Sequence, residues 1–209
     1  MKTIAIIGTG RMGTGLAHLL SKGPEAVLWA TRDPHQVVER KLPWVNKVTL
    51  CAYKDALQAD IIIPALWYSD LMEWIPEMSD ALAGKILIDI TNPFNTAFDD
   101  LLLDCSTSAA EEIQRALPRT FVVGCFKNTF WSVLESSTTQ EPVSDVFVTS
   151  NDPQPKAQLL QLFQGLPFRF LDAGPLRNNR TIERMTVLAR ELGIRYGYYP
   201  RISYRLWGQ

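Results

Sequence analysis

Histidine is nearly missing from this chain and cysteine is scarce: two of the one and three of the other in 209 residues. His18 and His35 stand apart from the cysteines, so neither a metal-ligand spacing nor a Ser–His–acid nucleophile set can be assembled from them. Cys51, Cys105 and Cys125 are scattered and odd in number, which gives no disulfide framework and points to a reducing, cytoplasmic setting. A dominant charge sign is also lacking. The net charge of -1 offers nothing to nucleic acid or to an anionic membrane surface. The apolar runs fall far short of the ~20 residues that cross a bilayer, and no signal-peptide core follows Met1. Repeats and low-complexity tracts are absent. The acidic pairs Asp99-Asp100 and Glu111-Glu112 read as solvated helix faces rather than acid–base machinery. What remains is an ordinary globular composition, 46% apolar and 21% charged, at a length that suits one domain.

The informative stretch is the first. Ile4 to Ile7 form a continuous apolar run, as expected of a parallel strand buried on both faces. Gly8, Gly10 and Gly13 follow in G-x-G-x-x-G spacing. Met12, Leu16, Leu19 and Leu20 then recur at helical intervals up to Lys22-Gly23, and a second apolar strand runs from Ala26 to Ala30. In that context the glycines are the fingerprint of a dinucleotide-binding βαβ unit. The first makes the tight turn, the second lets backbone approach a pyrophosphate, and the third lets helix and strand pack closely. The helix start offers unpaired N–H groups and a partial positive charge to the phosphates.

The end of the second strand selects the cofactor. An NAD site places an acid there for the ribose 2′-hydroxyl. This chain reads Trp29-Ala30-Thr31-Arg32-Asp33, with a hydroxyl and a guanidinium where the acid would stand. Arg32 can pair with a 2′-phosphate and Thr31 can donate to it, so NADP is favoured. Asp33-Pro34 reads as the cap and first turn of the next helix.

The remaining pattern predicts an α/β fold with a doubly wound, mostly parallel sheet of the Rossmann type. Further strands are expected at 47–51, 61–63, 85–90, 121–124, 145–149 and 168–171. Helices are expected at 52–59, from a Ser69 or Asp70 cap to Met78, at 106–117, from an Asn151 or Asp152 cap to Gln164, and from Asn178-Asn179-Arg180 onward. Residues 1–125 would form the dinucleotide-binding core. Residues 126–209 would be a short C-terminal α/β extension completing the sheet and the acceptor site. The stretch 131–142 reads as a loop, and the aromatic, arginine-rich tail 196–207 as a docking strand or an oligomer contact. Ligands of such sheets lie beyond the carboxyl ends of the strands. Ala65, Leu66 and Trp67 should therefore flank the cofactor, with Trp67 either walling the nicotinamide or packing as a core-rim aromatic. Asn92 and Pro93 close the fifth strand, and Asn92 can bond backbone or ribose.

Taken together, these residues resemble the F420-dependent NADP oxidoreductases and the related reductase domains of the STEAP metalloreductases. The likeness is carried by Gly8-Thr9-Gly10-x-x-Gly13, Ala30-Thr31-Arg32, Thr91-Asn92-Pro93, and Asp172-Ala173-Gly174-Pro175-Leu176 followed by Asn179-Arg180 and Glu183. The resemblance implies hydride transfer between NADP(H) and a deazaflavin, coenzyme F420, or a flavin. By that likeness Thr9, Arg11, Met12, Thr31 and Arg32 would touch the NADP. The family carries His or Asn just after the sixth strand, near the bound rings. Here Lys127 and Asn128 stand there, and they are the weak candidates for a catalytic role. A cation at that point suits an anionic or ferric-chelate acceptor; a surface lysine is the other reading.

Rival readings are an NADPH-dependent ferric or flavin reductase, a β-hydroxyacid-type dehydrogenase and a non-catalytic NADP-binding sensor. The dehydrogenase needs a long helical C-terminal domain, and only one C-terminal helix of any length is expected here. A homodimer is the expected assembly.

Overall fold

In a computed structural model, which describes residues 2–136 and 143–208, the first half of the chain builds one parallel sheet. Its strands are β1 (Thr3–Ile7), β2 (Ala26–Ala30), β3 (Thr49–Cys51), β4 (Ile61–Pro64), β5 (Ile86–Asp89) and β6 (Phe121–Gly124), in the order β3-β2-β1-β4-β5-β6. Every neighbouring pair is parallel, and the order reverses between β1 and β4, where Ile4 to Ile7 face Ile61 to Pro64. The apolar runs are explained by burial on two faces. Ile4, Ile6, Trp29, Ile61 and Ile63 enter one core cluster with Leu16 and Leu19, while Ala5, Ile7, Ile62 and Leu87 enter the other with Leu71 and Ile113.

The connections are α1 (Arg11–Leu20), α2 (Pro34–Glu39), α3 (Tyr53–Ala56), α4 (Tyr68–Leu82) and α5 (Ala109–Ala116). Asp33 caps α2, its carboxylate accepting the His35 N–H at 3.0 Å. Ser108 caps α5 by accepting from Glu111, so that helix starts three residues later than the sequence suggests. Helix α4 begins at Tyr68, with Trp67 rather than Ser69 or Asp70 in the cap position, and runs on to Leu82 with Pro76 inside it. The buried stripe Leu71, Ile75 and Leu82 carries it past the proline.

The C-terminal portion differs from expectation first in how its strands pair. Strands β7 (Asp145–Val148) and β8 (Arg169–Asp172) do not complete the main sheet; they form a parallel two-stranded sheet of their own. The link is a single antiparallel bridge, Gly124 to Thr149, with both backbone bonds at 2.9 Å. Thr149 and β6 run in opposite senses there, so no parallel ladder can continue. Helix α7 (Pro153–Leu162) joins the two strands, and the long α8 (Asn179–Arg195) follows. Of the stretch read as a loop, Trp131–Ser136 is a short helix, α6, packed on α1, where Leu134 fills the space above Gly15; 137–142 lie outside the described residues. The tail docks as extended chain on β7: Tyr204 O accepts from Asp145 N at 2.9 Å, and Leu206 N donates to the Asp145 carboxylate. Glu111 is not a freely solvated acid, since Arg180 on α8 grips it with two bonds of 2.6 and 2.8 Å.

Candidate functional site

The glycine turn sits between β1 and α1, and its three glycines answer to different demands. Gly8 has φ +110, and a Cβ there would lie 2.6 Å from the Ala65 carbonyl oxygen. At Gly13 a Cβ would fall 2.2 Å from the Gly8 carbonyl oxygen. Both are required by the protein's own packing. At Gly10 a Cβ would meet nothing within 4 Å, so no protein atom asks for a glycine there. The open space above Gly10 is what a diphosphate needs. Helix α1 starts at Arg11 with no side-chain cap, leaving its first N–H groups directed outward. The cradle therefore fits a dinucleotide on its own geometry, with Thr9, Arg11 and Met12 around it.

The turn is braced from two sides. Gly8 N–H donates to Ala30 O at 3.1 Å, and the buried Trp29 indole N–H donates to Gly8 O at 3.0 Å. Trp29 stacks on Trp44, which stacks on His18 with ring centres 4.9 Å apart; that contact accounts for His18. From the end of α2, Arg40 donates to Thr9 O at 2.8 Å and to the Thr14 hydroxyl at 3.2 Å. Sequence reasoning missed Arg40, which carries no motif and lies 31 residues from Thr9.

At the end of β2, Arg32 is exposed and makes no hydrogen bond or ion pair among the described residues. Thr31 is less free than expected: it is buried, and its hydroxyl bonds Asp33 O and Asp33 N at 3.2 and 3.1 Å, which turns the chain into α2. The guanidinium, not the hydroxyl, is the group on offer.

Beyond β4, Ala65 and Leu66 line the turn under Gly8, and Trp67 is 62% exposed. Its ring meets Phe98 edge-on at 5.7 Å, and Phe98 meets Phe94 at 5.7 Å. Trp67 is thus an aromatic at the surface rather than part of the core. Beyond β5, Pro93 is buried, and Asn92 Nδ2 donates to Lys127 O at 2.8 Å. Asn92 Oδ1 is buried with no partner among the described residues.

Lys127 and Asn128 are placed otherwise than the sequence suggested. Both are 1% exposed, so neither is a surface residue. Asn128 donates to Asp145 O at 2.8 Å and accepts from Phe147 N at 3.2 Å, stitching this segment to β7. Lys127 Nζ lies 2.6 Å from Asp89 Oδ2 and 2.8 Å from Glu183 Oε1, and donates to Thr91 O. Burial alone would drive its pKa down, but the carboxylates of Asp89 and Glu183 outweigh burial and hold it above the ordinary lysine value. Glu183 is pushed up, chiefly by burial.

The C-terminal motif is structural. Asn179 Nδ2 donates to Thr149 Oγ1 at 2.7 Å, and Glu183 accepts from the Ala109 N–H that opens α5. These contacts tie α8 to α5 and to the end of β7.

Comparison with known proteins agrees with this geometry. Residues 3–93 match the family described as NADP oxidoreductase coenzyme F420-dependent. The chain is 29% identical to the F420-dependent NADP reductase of Methanocaldococcus jannaschii, over 94% of each chain. It is 26% identical to human metalloreductase STEAP2, over 88% of this chain and 35% of that protein. A crystal structure from Arthrobacter sp. FB24, described as a candidate F420-dependent NADP-reductase, superposes with a TM-score of 0.82 at 27% identity, covering 94% of this chain and 96% of that one.

Proposed function

We infer that the chain is a member of the F420-dependent NADP oxidoreductase family and that it is an NADP(H)-dependent oxidoreductase, passing hydride between NADP(H) and the deazaflavin coenzyme F420. The observation that carries the reading is the cradle: space over Gly10 that the protein does not fill, an uncapped α1 beneath it, and a guanidinium at Arg32 that is unpaired among the described residues. The α1 N–H groups would hold the diphosphate and Arg32 the 2′-phosphate. Ala65, Leu66, Trp67, Asn92 and Pro93 would flank the nicotinamide end.

Bound NADPH supplies the hydride, and the oxidised deazaflavin takes up that hydride with one proton from solvent. The protein's share is orientation, close approach of the rings and exclusion of water. Residues 1–125 bind the dinucleotide and 126–209 complete the acceptor side. A cytoplasmic homodimer is the assembly in this reading; the free Cys51, Cys105 and Cys125 support the location.

Loss of NADPH absorbance, followed with F420, FMN or a ferric chelate as acceptor, tests the reading. Turnover with F420 above the other two supports it. Turnover with the ferric chelate alone would make the chain a metalloreductase. Tight NADPH binding with no turnover would make it a sensor.

A further inference from the structure

Three ionisable side chains, Asp89, Lys127 and Glu183, are buried to 1% or less just past the ends of β5 and β6. Burial of such a group is hard to explain by stability, because apolar replacements of buried ion clusters are commonly as stable or more so. Their geometry is specific. Lys127 Nζ donates to Glu183 and to the Thr91 carbonyl, and forms an ion pair with Asp89, whose Oδ2 lies 2.6 Å away. Asp89 uses its other oxygen to accept the Thr91 N–H at 2.8 Å and the Thr91 hydroxyl at 2.6 Å. Glu183 is fixed in turn by the Ala109 N–H.

The chain spends backbone strain to put Lys127 there. Phe126, the residue before it, has φ +55, a left-handed conformation costly for an aromatic. Contacts of its buried ring with Phe163, Phe168 and Phe170 at 5.7–6.1 Å hold it in place.

The product of this arrangement is the setting of Asn92. The ammonium of Lys127 holds the Thr91 carbonyl, while the Lys127 carbonyl accepts from Asn92 Nδ2 and from Thr186 Oγ1 at 2.8 and 2.9 Å. Because that carbonyl can only accept, Asn92 must give it the amide NH2 and keep its oxygen for elsewhere. The oxygen is buried and unpaired, at the carboxyl end of β5, where sheets of this kind receive ligands. Buried amide oxygens are seldom left without a donor.

We propose that the Asp89–Lys127–Glu183 triad is a positioning device that presets Asn92 Oδ1 to accept an N–H from the carboxamide of the nicotinamide. The proposal rests on the NADP reading above. Asn92 touches the cofactor; Lys127 acts only through it. The carboxamide is thereby fixed relative to the ring plane, and one face of the ring is presented to the acceptor.

The test compares three nucleotides by titration: 2′,5′-ADP, which lacks the nicotinamide; NADP; and its 3-acetylpyridine analogue, which keeps the ring but has no N–H. Wild type should prefer NADP to the acetylpyridine analogue by about fivefold, the worth of one neutral hydrogen bond. In Asn92→Ala the preference should vanish while 2′,5′-ADP affinity stays unchanged. Lys127→Met combined with Glu183→Gln removes the ammonium but keeps the net charge of the cluster; it should lose the same preference and leave 2′,5′-ADP alone. A wild-type preference that survives Asn92→Ala overturns the proposal, and so does one that survives in a folded double variant. Should the double variant not fold, Asn92→Ala still decides. Failure of 2′,5′-ADP and NADP to bind wild type would instead remove the NADP reading itself.

Discussion

The indole N–H of Trp29 donates to the carbonyl of Gly8 at 3.0 Å, so a core side chain on β2 fixes the shape of the glycine turn between β1 and α1. Trp29→Phe keeps most of the ring stack on Trp44 and deletes that one donor. With the buried Gly8 carbonyl left unpaired, stability should fall by about 1–3 kcal/mol. NADPH affinity should fall too, although Trp29 never meets the ligand. Denaturant midpoints and NADPH titrations check both; unaltered affinity in the variant would show that the turn holds its shape without the indole.

The glycines should separate cleanly. Gly10→Ala adds a methyl group to open space, so the melting temperature should barely move while nucleotide binding collapses. Gly13→Ala drives a methyl group into the Gly8 carbonyl, 2.2 Å away, and should destabilise the fold itself by several kcal/mol, as overpacking does (~1–3 kcal/mol or more). Thermal melts alongside binding isotherms distinguish the two; equal destabilisation by both would mean that the space above Gly10 is not a ligand space.

Arg32 carries cofactor choice. Arg32→Ser should weaken NADP by about 1.5–3 kcal/mol, the usual worth of a hydrogen bond to a charged group, and leave NAD nearly unchanged. Paired titrations with the two dinucleotides read the difference, and a matching loss for both would remove Arg32 from the 2′-phosphate.

Acid should loosen the join between α5 and α8. The Arg180 guanidinium, opposed by burial and assisted by the Ser108 hydroxyl, holds Glu111 below its ordinary value of 4.5. A carboxylate depressed in the folded state contributes stability that is present above the unfolded value. That contribution is lost as pH falls below 4.5 toward the folded value. Glu111→Gln should therefore lower the melting temperature at neutral pH and converge with wild type in acid, flattening the acid side of a plot of melting temperature against pH. An acid limb of the same slope in the variant would place the titrating groups elsewhere.

The parts of the fold legible in the sequence were those written locally. The runs Ile4–Ile7 and Ile61–Ile63, the spaced glycines and the Asp33-Pro34 cap each need only neighbours in the chain, and each appears where expected. Three of the misreadings involve partners far apart. Lys127 looks like a surface or active-site lysine until Asp89, at the end of β5, and Glu183, 56 residues beyond the lysine, close over it. Arg40 reaches the glycine turn only because α2 folds back over it. Composition could not show that β7 and β8 pair with one another instead of with β6, since strand pairing is a choice among edges that all look alike in sequence.

Trp67, 62% exposed just beyond β4, has an optical consequence. Indole emits in the band where the dihydronicotinamide ring absorbs and its oxidised form does not. With the cofactor seated along β4 as proposed, light absorbed by Trp67 would pass to the reduced ring and its own fluorescence would dim, then recover once hydride had gone. The protein would thus carry a built-in gauge of how much reducing power it holds.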